Sequence, residues 1–299
     1  MHANPVSRAS SKLQAPSSKL QAPSSKLQAP SVLSPRPGFA GRGAGGEGSS
    51  LATDLLAESL PHWRELLSDE ARATGEFAEH HGKPCFLNAD VACPEADEWD
   101  RHWQGLKGTL RGRLFSLYRW QIRSRCVARN IARHFTAPGV YVECGCGSSE
   151  TSCRIRPKSG QSFLALDFAA RPLGMALHQP CHAGGIQADI RRLPFRDQSL
   201  DGLWNLGVME HFEEDDQLSI LKEFRRVLKP GGTVLLWWPP RGGLDRMLLG
   251  SVGWPFPSEP GRVCVSQAQE RLTLSGFREI SIHLPASDGW TELAIVGRV

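Results

Sequence analysis

Residues 140–149, VYVECGCGSS, run a short apolar strand into a glycine turn with one carboxylate, Glu143, just ahead of it. A second apolar run, FLALD, ends in Asp167, twenty residues after Gly147. Gly145 and Gly147 let the backbone pass close to a ligand without Cβ interference. A turn that cradles pyrophosphate needs G-x-G-x-x-G leading into a helix N-terminus. Here the third glycine position of that pattern is Glu150, whose charge repels a diphosphate. Glu143 instead suits a cationic group, bound by a charge-assisted hydrogen bond. Asp167 can accept from both hydroxyls of a ribose, or serve as a helix N-cap or a turn acid. The pattern implies a crevice for a positively charged nucleoside and counts against a nicotinamide dinucleotide oxidoreductase.

Such residues need strand ends to hold them. From residue 140 onward, strand-like and helix-like segments alternate, with candidate strands at 140–144, 163–167, 185–189, 201–206, 233–238, 279–284 and 291–298. The helix expected at 214–228 opens on acids and closes on Lys222, Arg225, Arg226 and Lys229, complementing its dipole. Pro230-Gly231-Gly232 then stops it and turns the chain into the next strand. Alternation of this kind predicts an α/β fold, a doubly wound, mostly parallel sheet of seven strands. Ligands bind such sheets beyond the carboxyl ends of the strands.

Ahead of it, apolar spacing predicts helix over 53–82, irregular chain from Pro84 to Pro94, and a stronger helix over 109–135. Leu114, Tyr118, Ile122, Ile131 and Phe135 would line one face of that second helix. Between Arg101 and Val142 stand nine Lys or Arg and no acid, either a surface that steers an anion or a solvated helix face. Three copies of SSKLQAP fill residues 10–30, and their prolines break any helix. The expected organisation is a disordered tail at 1–52, a helical extension at 53–135 and an α/β domain at 136–299. Segment 239–266, rich in Pro and Gly, reads as a lid or as a structural loop.

The chain of 299 residues is 40% hydrophobic and 22% charged, enough for an ordinary core. Its net charge of +4 is concentrated: residues 1–50 hold six Lys or Arg against Glu47, leaving about −1 on the rest. That distribution is no general nucleic-acid footprint. The eight cysteines, with no secretory apolar segment, suggest free thiols in a reducing, cytoplasmic setting, the acid-poor tail allowing organelle targeting instead. Cys144, Cys146 and Cys153 lack a second pair at finger-like spacing, so no metal is expected.

Four blocks in order, ECGCGSS, LALD, QADIRRLPFRDQSLDGLWNLGVMEHF and EFRRVLKPGGTVLLWWP, resemble the class I S-adenosylmethionine-dependent methyltransferases, notably the small-molecule branch called type 11. The resemblance covers about 136–299. It implies S-adenosyl-L-methionine as cofactor, with Glu143, Gly145 and Gly147 at its methionine part and Asp167 at the ribose. Asp189 would meet the adenine amino group, Ile190 would pack beside the ring, and Asn205 and Leu206 would border the methyl donor. The chain departs from the family at Ser149, which replaces the motif's third glycine. It departs again at Gly207-Val208-Met209-Glu210-His211, which lacks one acid of a Glu-x-x-Glu-His metal motif, so metal dependence is not inferred.

Methyl transfer from a sulfonium is an in-line displacement that depends chiefly on alignment. His211 is the candidate base for a hydroxyl acceptor. Trp237, Trp238 and Trp254 point to an apolar or aromatic small molecule as acceptor, with no nucleic-acid partner and no membrane-spanning segment. The alternative is a catalytically silent member of the fold that binds the cofactor or a protein partner.

Overall fold

The computed structural model describes residues 62–88, 116–240, 261–283 and 292–299. The expected tail at 1–52, Leu114 and most of segment 239–266, with Trp254, lie outside the described residues.

Nine strands form one sheet: β1 (Glu76–His80), β2 (Lys83–Leu87), β3 (Gly139–Cys144), β4 (Gln161–Asp167), β5 (His182–Gln187), β6 (Leu200–Leu206), β7 (Leu228–Trp238), β8 (Arg278–His283) and β9 (Leu293–Arg298). Their order is β1-β2-β5-β4-β3-β6-β7-β9-β8. From β2 to β7 neighbours run parallel, while β9 pairs antiparallel with both β7 and β8. The seven strands from β3 onward are the expected doubly wound sheet, with strand order reversing at β3. Around it lie α1 (Asp69–Thr74), α2 (Ser124–His134), α3 (Ala170–Ala176), α4 (Glu214–Val227) and α5 (Val265–Leu274). Helices α1, α4 and α5 bury Ala71, Ile220, Leu221, Phe224 and Leu272 against one face. Helix α2 buries Val127 and Ile131 against Tyr141, Phe163 and Trp204 on the other. Helix α3 packs Leu173 and Ala176 beside Ala165.

Strands β1 and β2 correct the helical reading of 53–82. Helix α1 stops at Gly75, which continues in extended backbone. The chain then forms a hairpin whose two-residue turn, His81 and Gly82, has φ of +54° and +70°. Both values are left-handed, the geometry that matches the twist of a hairpin. The hairpin lengthens the sheet because β5 carries Gly184 where β2 approaches: a Cβ there would lie 2.8 Å from the Pro84 carbonyl oxygen. Strand β5 also begins earlier than the expected 185–189, and Asp189 falls beyond its end. The expected turn at Pro230–Gly232 is instead a bulge within β7, where the register against β6 shifts between Leu200 and Gly202.

The second predicted helix forms over its described residues, from 116 to 134, with a correction to its face. A π turn at Arg119–Arg123 precedes α2. Its extra residue rotates the inward face, so Ile122 is 42% exposed and Arg123 is buried instead. The Arg123 guanidinium pairs with the Glu292 carboxylate at the start of β9, both side chains being buried. Removing one member of such a pair takes a buried charge's counter-ion away in a low dielectric. Glu292→Gln is therefore expected to lower the unfolding free energy by about 3–5 kcal/mol, read by urea denaturation, whereas the exposed pair Arg298–Glu279 contributes less than about 1 kcal/mol.

Candidate active site

Alternation along the strands puts Glu143 and Asp167 on the same face of the sheet. Tyr141 is level with Phe163 and Glu143 with Ala165, and Asp167 follows two residues later. The glycine turn closes over the ends of β3 and β4, where the N–H groups of Gly145 and Cys146 both donate to the Leu166 carbonyl, at 2.8 and 2.9 Å. Gly145 has φ +70° and could not carry a side chain, since a Cβ would meet Val208 Cγ2 at 2.8 Å. Gly147 donates its N–H to Asp167 Oδ2 at 2.8 Å, and Ala169 donates to Oδ1 at 3.0 Å. Asp167 is thus held by the turn itself.

Glu143 is held differently. Its Oε2 accepts from Ser149 Oγ at 2.5 Å and Ser152 Oγ at 2.9 Å, with His182 Nε2 at 3.1 Å; Oε1 accepts from Ser152 at 2.8 Å. Only 3% of Glu143 is exposed. Its carboxylate therefore anchors the loop, and at most one lone pair of Oε1 is left to meet a ligand ammonium. Ser149 takes the left-handed φ of +53° that a third glycine would adopt, and its hydroxyl lies 2.7 Å from His182 Nε2. That network supports the Ser-for-Gly departure, offsetting a backbone conformation L-residues disfavour.

The other expected residues sit at or just beyond the carboxyl ends. Asp189 follows β5 and is clamped by Arg191, with a closest contact of 2.6 Å. Ile190 is buried in the core on the α1 and α4 side. Asn205, at the end of β6, is fully buried, and neither its amide oxygen nor its amide nitrogen has a partner. Leu206 is half-buried beside Trp204. His211 closes the short turn Met209–His211 and is half-buried. Trp237 and Trp238 are wholly enclosed in the core, on opposite faces of the sheet, so neither offers an acceptor platform.

The buried Asn205 amide and Ser148 hydroxyl are orphaned, and such groups are rare in a folded protein unless something binds them. Asp167 and Asn205 fit a ribose and a polar donor group, so the residues suit an adenosine-type cofactor.

Several participants escaped the sequence reading. His182 and Ser152 complete the Glu143 cluster together with Ser149, which the sequence marked only as the departure from a third glycine. Glu210 and Glu292 both approach Gly207 at the end of β6. Buried cysteines play no ionic part: burial pushes the Cys85 thiol up to about 11 and Cys181 up to about 12. Among the described residues no three His, Cys, Asp or Glu side chains gather as a metal site, and no helix is long and apolar enough to cross a membrane.

If the hydroxyl of Ser149 holds the turn, Ser149→Ala keeps the strained φ and leaves buried polar groups unpaired, costing about 1–3 kcal/mol. Ser149→Gly relieves the backbone and should lose less. Thermal melts in which Ser149→Ala keeps wild-type stability would show the hydroxyl to be idle.

Comparison with known proteins fits this architecture. Residues 142–236 match the family model described as a methyltransferase domain. A protein named probable tRNA methyltransferase 9B from Mus musculus is 30% identical over 102 residues, which is 33% of this chain and 22% of that protein. Malonyl-[acyl-carrier protein] O-methyltransferase from Yersinia pestis is 35% identical over 109 residues, 36% of this chain and 39% of that protein. The chain thus spans less than half the length of these curated relatives. The crystal structure of magnesium protoporphyrin IX methyltransferase from Synechocystis PCC 6803 with bound SAH has a TM-score of 0.51 at 14% identity, covering 68% of this chain and 95% of that one, a likeness of fold. One expectation is corrected: an acceptor range without nucleic acid does not stand beside relatives from Mus musculus, Bos taurus and Homo sapiens that are named as tRNA methyltransferases. The sheet order, the glycine turn with its aspartate, and the family match together identify residues 142–236 as a class I S-adenosylmethionine-dependent methyltransferase domain.

Proposed function

We propose that this protein transfers the methyl group of S-adenosylmethionine to an RNA acceptor, with transfer RNA the first to test. The observation that carries the donor half is the Gly147 N–H bond to Asp167, which fixes a carboxylate against the glycine turn where a ribose would lie. The relatives named as tRNA methyltransferases support the acceptor half. A carboxyl group on a carrier protein is the second reading, favoured by the 35% identity to the Yersinia pestis enzyme.

In this reading the bound sulfonium supplies an electrophilic methyl, and the chain's own residues bind, orient and deprotonate. Asp167 accepts from the ribose hydroxyls, and Asp189, steadied by Arg191, accepts from the adenine amino group with Ile190 beside the ring. Gly145 and Gly147 bring backbone close to the methionine part, while Glu143 holds the turn's shape. Asn205 and Leu206 border the methyl. His211 takes the acceptor's proton, since an imidazole nitrogen can accept one from a nearby hydroxyl or amine.

Equilibrium dialysis of the full chain with labelled donor is expected to show binding, weakened at least about tenfold by Asp167→Ala, the loss of one charge-assisted hydrogen bond. Failure of the folded protein to bind would remove the donor half. With bulk transfer RNA, label should enter the nucleic acid, and His211→Gln should slow turnover about 100-fold or more without altering donor affinity. Label that enters acyl carrier protein and not RNA selects the second reading.

A further inference from the structure

Helix α2 with its π turn and the connection at 153–160 form one continuous face. The Arg154 guanidinium donates to the Trp120 carbonyl at 3.3 Å and to Ser124 Oγ at 3.0 Å. The Gln161 side chain reaches the carbonyls of Phe135 and Ala137 at 2.9 and 3.0 Å. Arg125, Arg129 and Arg133 are exposed at four-residue spacing along the helix, and Arg156 and Lys158 are exposed on the neighbouring segment. The sequence places no acid at 116–142 or at 151–166. Of the two acids between, Glu143 is buried in its own network and Glu150 faces Arg119 at 3.6 Å.

An aromatic stands at the end of this face. Trp120 is 48% exposed, beside Leu117 at 52%. The Arg154 guanidinium lies over the indole, 5.1 Å from its centroid. Leu117 and Trp120 line an open cavity of about 480 Å³ with Ser116, Glu150, Cys153 and Gln179. Glu150 is the residue after Ser149, so this hollow begins where the donor turn ends.

We propose that this face docks single-stranded RNA, with phosphates on Arg125, Arg129, Arg133, Arg156 and Lys158 and a base stacked on Trp120. The helical cations recur about every 6 Å along the axis, a row that meets successive phosphates of one strand. An exposed indole already stacked by a guanidinium is a platform for a base, which every nucleotide can offer. Charge complementarity selects the occupant: the cations run the length of the helix, whereas the exposed apolar groups are confined to its start, too few to anchor a lipid surface. The proposal deepens the RNA reading above and rests on it for its place beside the donor crevice.

The test is fluorescence anisotropy of the full chain with a short labelled single-stranded RNA across a salt series, run beside phosphatidylserine vesicles. Trp120→Ala should weaken RNA binding about 5- to 100-fold. The pair Arg125→Glu with Arg129→Glu should weaken it further and reduce the salt slope by about two. Donor affinity and melting temperature should not change in either variant, which separates lost docking from lost folding. RNA binding that both variants leave intact overturns the proposal, as does binding of vesicles in place of RNA. If the variants lose RNA while the wild type binds but never methylates it, the docking face stands and the acceptor reading falls. If RNA is methylated and both variants bind as the wild type does, the reverse holds.

Discussion

A carboxylate buried to 3% exposure must have every strong hydrogen-bonding site met or destabilise the fold by several kcal/mol. Glu143 meets that demand through Ser149, Ser152 and His182, and much of the local architecture follows from it. The bonds pull the chain after β3 back over the sheet, stabilise a left-handed Ser149, and tie the turn to the first residue of β5. The same folding-back leaves Asp167 beside the Gly147 N–H. One buried charge thus shapes the turn, and the turn aims the second carboxylate.

The opposite flank shows the same economy of charge. Arg123 enters the interior only because the π turn swings it there, and Glu292 receives it at the start of β9. The segment ahead of α2 is thereby fastened to the far side of the sheet from the hairpin. Because the inward face is rotated, the remaining arginines of α2 are left in solvent on the outer stripe. A structural ion pair and an exposed basic row are two outcomes of one extra residue in a helix turn.

Much of the fold was legible because its signals are local. Period-two apolar runs and well-capped helices name strands and helices wherever they pack, so the seven strands from β3 to β9 and helix α4 emerge near their expected places. The hairpin did not, since Glu76 to Leu87 carries no apolar alternation strong enough to compete with the helical spacing upstream. Its pairing depends on Gly184, nearly a hundred residues away. Ile122 and Arg123 exchanged places for a comparable reason: a regular helix has one period, and a π turn breaks it without announcing itself in residue types.

The order of blocks, the glycines of the turn and the two strand-end acids were decided by sequence alone, because a backbone that must pass close to a ligand and a strand that must end in a carboxylate leave few residue choices. How each of those acids is held was decided by the tertiary structure. Glu143 and Asp167 look alike in the chain, both acids at strand ends. Only the arrival of His182 from β5 and the serines from the turn ties the first to the loop, while the backbone N–H groups of Gly147 and Ala169 hold the second. Hydrogen-bond partners brought from distant segments divide the labour, and no spacing rule along the chain encodes them.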